Sequence, residues 1–131
     1  MAGTDTEVVG SHLLGVHAAY HLYGGVRGEL IGLQFDFEPA GRVSPRLVGQ
    51  ALLLVPSELQ QEADMGVFGQ IVVEDMAVGR WIEPLIGRRV RNVTACPWSA
   101  DTQRATLTLG FEDCHGMIVS WEGDNWDLDA Y

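Results

Sequence analysis

Residues Arg104-Ala-Thr-Leu-Thr-Leu-Gly-Phe-Glu-Asp-Cys-His-Gly-Met-Ile-Val-Ser-Trp121 carry the pattern that decides the fold. From Ala105 the apolar side chains take every second position, Ala105, Leu107, Leu109 and Phe111, with Thr106, Thr108, Gly110 and Glu112 between them. Neighbouring side chains on an extended strand point to opposite faces, so this period of two sets one face against a core and the other towards water. Glu112-Asp-Cys-His-Gly116 is a polar turn whose glycine can take a positive φ. The chain then returns with Met117, Val119 and Trp121 on one face. The stretch predicts a β-hairpin.

The same reading extends to both sides. Trp126, Leu128 and Ala130 alternate with Asp127, Asp129 and Tyr131, which predicts a last strand with an acidic face. Arg88–Cys96 is extended too, but Val90 and Val93 fall on opposite faces of a regular strand, so a β-bulge is expected there. Further back, Ile31, Leu33, Phe35 and Phe37 alternate with Gly32, Gln34, Asp36 and Glu38. Leu14–Tyr23 fits a strand through Val16, Ala18, Tyr20 and Leu22, and a helical stripe through Leu13, Val16, Tyr20 and Tyr23. The glycine-rich link Gly24-Gly25 to the next alternating run favours the strand, as the first arm of a second hairpin.

Between these runs, Pro39–Pro45 is expected to be a loop, carrying Arg42 with Arg46 just beyond, and Ala51–Val55 a short strand stopped by Pro56. Ser57–Asp64 reads as a short helix capped by Ser57, and Val67–Met76 as a strand. Trp81–Gly87 is a connector whose large apolar residues plug one end of the core, and residues 1–10 read as a frayed terminus. Leu14-Gly15 resembles Ile86-Gly87, and Phe37-Glu38 resembles Phe111-Glu112, at separations of 87 − 15 = 72 and 111 − 37 = 74 residues. An internal duplication with halves 11–76 and 85–131 accounts for this; so does the general likeness of any two β-hairpins, and both explanations stay open. The expected fold class is mainly β, or α+β with one or two short helices, in a single domain spanning 1–131. Its form is an antiparallel sandwich or partly closed barrel.

Composition narrows the function classes. With 8 basic and 18 acidic residues the net charge is −10. Such a chain is repelled by phosphate backbones and anionic lipid, so neither nucleic acid nor a membrane is the expected partner. A basic protein is. Every basic residue is Arg, a bias associated with GC-rich bacterial genomes. The opening residues lack a signal-peptide pattern, no run is long and apolar enough for a membrane span, and two cysteines are too few for a disulfide framework. A cytoplasmic location is therefore expected.

Few residues stand out as chemistry. His17 and His21 would make a metal pair on a helix, but on a strand their Cα atoms sit about 13 Å apart at ~3.3 Å per residue. Cys114-His115 and Cys96 match no zinc spacing, with Cys96 expected to be buried and Cys114 incidental. No cofactor is expected, since no P-loop, dinucleotide fingerprint or nucleophile elbow is present. Glu122, Asp124, Asp127 and Asp129, with Trp126 among them, form the densest acidic patch and the best candidate binding surface. Arg80, Arg88, Arg89 and Arg91 form a basic stretch suited to the protein's own carboxylates or, less simply, to a phosphate.

Leu85-Ile-Gly-Arg-Arg-Val90, followed by Leu107-Thr-Leu-Gly-Phe-Glu-Asp113 and Met117-Ile-Val119, resembles small β-rich bacterial domains found among immunity proteins that neutralise polymorphic toxins. In that pattern Gly directly follows the Asp, where this chain has Cys114-His115-Gly116. The resemblance covers the C-terminal part and brings no catalytic residues with it. It implies an inhibitor of the immunity type; the net charge and the acidic last strand add the expectation of a non-enzymatic protein that presents an acidic face to a basic partner. Two other readings remain: a small-ligand or metal-binding enzyme using His17, His21 or His115, and a homodimeric structural module.

Overall fold

In the computed structural model, which describes residues 8–56, 63–64, 70–75, 82–112, 115–122 and 125–130, the alternating runs are strands. The first half supplies β1 (His12–Tyr23), β2 (Val26–Glu38), β3 (Gly41–Val48), β4 (Ala51–Pro56), β5 (Ala63–Asp64) and β6 (Gln70–Asp75). After a 3-10 turn at Glu83–Leu85, the second half supplies β7 (Val90–Ser99), β8 (Arg104–Phe111), β9 (Gly116–Glu122) and β10 (Asn125–Ala130). The first six form one sheet in the order β4-β3-β2-β1-β6-β5, the rest a second in the order β10-β9-β8-β7, and all pairings are antiparallel. This is the mainly β, two-sheet architecture expected, in the form of a sandwich and not a closed barrel.

The alternation explains the core. Leu33, Phe35 and Phe37 of β2 and Leu107, Leu109 and Phe111 of β8 are all buried, as are Leu52 and Leu54 of β4 and Met117 and Val119 of β9. Each such side chain contributes about 1.5–3 kcal/mol when removed from water. The 3-10 turn closes one end, where Ile82 and Leu85 are buried as the sequence led one to expect. Residues 12–23 are strand, not helix.

β1–β4 and β7–β10 are each a four-stranded meander, and their registers coincide. Phe35 faces Val43 and Pro45 faces Leu54 in the first; Leu109 faces Met117 and Val119 faces Leu128 in the second. One offset of 74 (109 − 35, 117 − 43, 128 − 54) relates β2, β3 and β4 to β8, β9 and β10. The first strands follow an offset of 77 (90 − 13), since Leu13 faces Phe37 and Val90 faces Phe111. Each then bulges at the same place, between Leu13 and Gly15 and between Val90 and Asn92. The second bulge is the one the sequence demanded, and it returns Val93 to the core side.

The halves meet about an approximate twofold. His12 and Arg89 form an isolated antiparallel bridge. Around it Gly10 N–H donates to Val90 C=O (2.8 Å) and Gly87 N–H to Leu13 C=O (2.7 Å), while Val90 N–H donates to Ser11 C=O and Leu13 N–H to Arg88 C=O. Gly10 and Gly87 have matching φ of 90° and 85°. Gly10 and Gly87 thus take like backbone conformations and like places in these hydrogen bonds, 77 residues apart (87 − 10).

Three expectations change. Pro39–Pro45 is not all loop, because β3 begins at Gly41 and includes Pro45. The ladder with β2 ends at Val43, so beyond it β3 is a local edge where a missing N–H is tolerated. Ala63–Asp64, assigned to a helix from sequence, pair with Ile71 and Gln70 as a strand, while residues 57–62 lie outside the described residues. Val8 is fully buried and Gly10 hydrogen-bonded, so the terminus is anchored from residue 8; residues 1–7 are not described.

Candidate functional site

The meander β8–β10 has a wet face opposite its core face. Its register sets Arg104 beside Glu122, Ser120 beside Asp127 and Ile118 beside Asp129. Arg104 reaches one oxygen, Glu122 Oε2, with Nη2 at 2.7 Å and Nε at 3.0 Å. Both side chains are about half exposed, so water screens the pair. Asp127 and Asp129, two apart on one strand, share this face and are exposed. The charge of Asp127 pushes the Asp129 carboxyl above its ordinary pKa, with slight burial and a hydrogen bond to Asp127 acting the same way and Arg104 opposing them. The equivalent positions of β4 hold Leu53 and Val55, so the fold itself does not require carboxylates there.

Of the acidic patch read from sequence, the structure brings together Glu122, Asp127 and Asp129. Asp124 lies outside the described residues. Trp126 stands opposite Trp121 with ring centroids 4.8 Å apart, and both pack against the core. It supports the acidic face from beneath and is not part of it.

A second constellation sits on the outer face of the larger sheet. His17 of β1 lies opposite Gln34 of β2 on one side and Asp75 of β6 on the other. Asp36 is opposite Arg42 of β3. Gln34 Nε2 donates to Asp36 Oδ1 (3.1 Å), Arg42 Nε approaches the same oxygen at 3.6 Å, and His17 Nδ1 lies 3.7 Å from Asp36 Oδ2. That Nδ1 is buried and has no hydrogen-bond partner. The equivalent positions in the second half are Thr94, Thr108, Gly110 and Gly116, so this charged set belongs to one half alone. Sequence reading singled out only His17; Gln34 and Asp36 look like ordinary wet positions of a strand, and strand pairing alone gathers them with Arg42.

The remaining candidates lie apart. The His21 ring packs on Tyr23 at 4.0 Å, and His115 is exposed with its C=O accepting from Phe111 N–H at 2.8 Å. Cys96 is exposed, against the expectation of a buried thiol: β7 is an edge strand, and among the described residues no strand pairs along its outer edge there. Cys114 and Arg80 lie outside the described residues. Among the described residues no three His, Cys, Asp or Glu side chains converge to hold a metal, and no helix is long and apolar enough to cross a membrane. No family model, curated protein or solved structure matches the chain.

Proposed function

We propose that the protein is a non-enzymatic interaction domain, of the immunity-inhibitor kind, that presents the outer face of β8–β10 to a basic partner. The observation that carries this reading is the Asp127–Asp129 pair. Two like charges stand side by side in solvent, and Arg104, the guanidinium that acts on Asp129, already holds Glu122. The free protein bears this repulsion, and a partner's Lys or Arg relieves it. The net charge of −10 adds long-range attraction that speeds encounter and weakens with salt. The matching registers support reading the two halves as copies of one meander, of which the second carries Asp127 and Asp129 where the first has Leu53 and Val55.

The test is a titration of isotopically labelled protein with an arginine-rich peptide at low and high salt. Shifts confined to Ile118–Glu122 and Asn125–Ala130, lost in the Asp127→Asn/Asp129→Asn variant, are the expected result. Shifts spread evenly over all acidic residues would remove the basis for a specific face.

A second reading, a small-ligand site at His17, is favoured by one observation. Its imidazole turns a buried, unpartnered Nδ1 towards Asp36, an arrangement that leaves Nε2 to accept or deliver a proton. Asp36 is itself held by Gln34 and Arg42, as an orienting carboxylate is. A ligand screen read on the His17 ring resonances, repeated with Asp36→Asn, separates this reading from the first; a ring unmoved by every small molecule would discard it.

A further inference from the structure

The two halves differ beside their first strands. β1 carries β6 along its outer edge, with His17 opposite Asp75 and Leu22 opposite Gln70. By the offset of 77 (90 − 13), the equivalent edge is that of β7, Thr94–Ser99. Among the described residues, no strand pairs with that edge between Arg91 and Pro97. Both ends of this window are closed: Val90 exchanges hydrogen bonds with Gly10 and Ser11, and Trp98 N–H donates to Gln50 C=O.

Backbone directions follow from the register. Val90 turns both its groups away from β8, and the bulge at Arg91 resets the alternation so that Val93 and Ala95 do the same. Their N–H and C=O groups therefore face outward. Residues Asn92–Trp98 carry no charge, and Ala95 and Cys96 are exposed where their counterparts Ala18 and Ala19, beside β6, are buried. Edges in this state recruit another strand unless charge or proline blocks them. Pro97 stands at the irregularity between Cys96 and Ser99, beyond the outward groups of Val93 and Ala95.

We propose that the β7 edge between Arg91 and Pro97 receives an extended segment of a partner protein, added antiparallel as a fifth strand of the smaller sheet. The relation of β6 to β1 supplies its orientation and its chemistry: β-branched apolar residues at the centre, as in Ile71-Val-Val73, and carboxylates towards the C-terminal end, as in Glu74-Asp75. In the register of β6 on β1 that end falls opposite Thr94 and Ala95, on the side towards Arg91, with Arg88 and Arg89 further along. A second folded copy of this chain fits poorly, because the Gln50 and Gly10–Ser11 contacts flanking its own β7 would meet those of the first. The window takes a single extended segment.

The probe is the acetylated hexapeptide Gln-Ile-Val-Val-Glu-Asp added to the full chain, with amide exchange read by NMR. Protection of Val93 and Ala95 should rise about tenfold at millimolar peptide, a level set by a short strand's weak affinity. A peptide ending in two lysines should bind several-fold more weakly, and the exposed-site variant Arg91→Glu should reverse that preference. Unchanged exchange with either peptide overturns the proposal. Protection that grows with protein concentration alone also overturns it, by making the occupant a second copy.

Discussion

His12 and Arg89 face each other across the single bridge that joins the two first strands, and each sits where the other would fall under the approximate twofold. The hydrogen bonds on either side repeat in reciprocal pairs, Gly10 to Val90 and Gly87 to Leu13. Val8 and Leu85 lie buried at equivalent places beside it, so the bridge also closes the core at this end. Neither His12 nor Arg89 needs its side chain for this: the backbone makes the contact.

Stability at this junction should therefore depend on the glycines. Both have positive φ, and a Cβ at either would meet nothing within 4 Å, so the penalty of a side chain is conformational and not steric contact. Gly87→Ala and Gly10→Ala should each lower the unfolding free energy by about 1–2 kcal/mol. Urea denaturation measures it, and a loss at one site without the other would break the equivalence of the halves.

The core offers a second comparison. Leu33 and Leu107 occupy matching places on β2 and β8 and are both buried. Replacement of either by Ala should cost about 2–5 kcal/mol, with the two losses within about 1 kcal/mol of each other. Calorimetric unfolding of the two variants gives the difference.

On the acidic face the sign runs the other way. The Asp129 carboxyl is raised by Asp127, so the folded state holds its proton at a pH where the unfolded chain has released it. Its contribution is a penalty, present above the folded pKa and relieved as pH falls through it. Asp129→Asn should stabilise the protein at neutral pH by about 0.2–0.5 kcal/mol, a small gain because both groups are screened by water. The gap between variant and parent should close in the acid carboxylate range, as read from melting temperatures across pH.

Arg104 acts on two partners. Its pair with Glu122 should contribute about 0.2–1 kcal/mol in a double-mutant cycle, since both side chains are solvent-exposed. Loss of Arg104 should also raise the Asp129 pKa further, because the guanidinium is the one charge found to lower it. Carbon-detected titration of the Asp129 carboxyl in Arg104→Ala checks this; an unchanged value would show that Arg104 faces elsewhere in solution.

Much of the fold is legible along the chain because pleat and alternation are local. Phe35, Phe37, Leu109 and Phe111 declare their faces from spacing alone, and Val90 with Val93 even declares a bulge. Pro45 misled, because a proline's place in a strand depends on whether a neighbour is paired there, and the β2 ladder stops two residues earlier at Val43. Cys96 misled for a related reason: its burial depends on a neighbouring strand, which β1 has in β6 and which β7, among the described residues, lacks on that side.

The sequence by itself determined that the alternating runs of β1, β2, β8, β9 and β10 extend and which side of each is apolar, since a period of two follows from backbone geometry. It also determined the turn at Gly24-Gly25 and the excess of negative charge. Only the tertiary structure decided that Trp126 packs inward while Asp127 and Asp129 face water beside Glu122, and that Gln34, Asp36 and Arg42 gather around His17. Those placements depend on register between separate strands, where a slip of one residue exchanges the faces, and register is fixed by the bulges, the glycine junction and the packed core acting together.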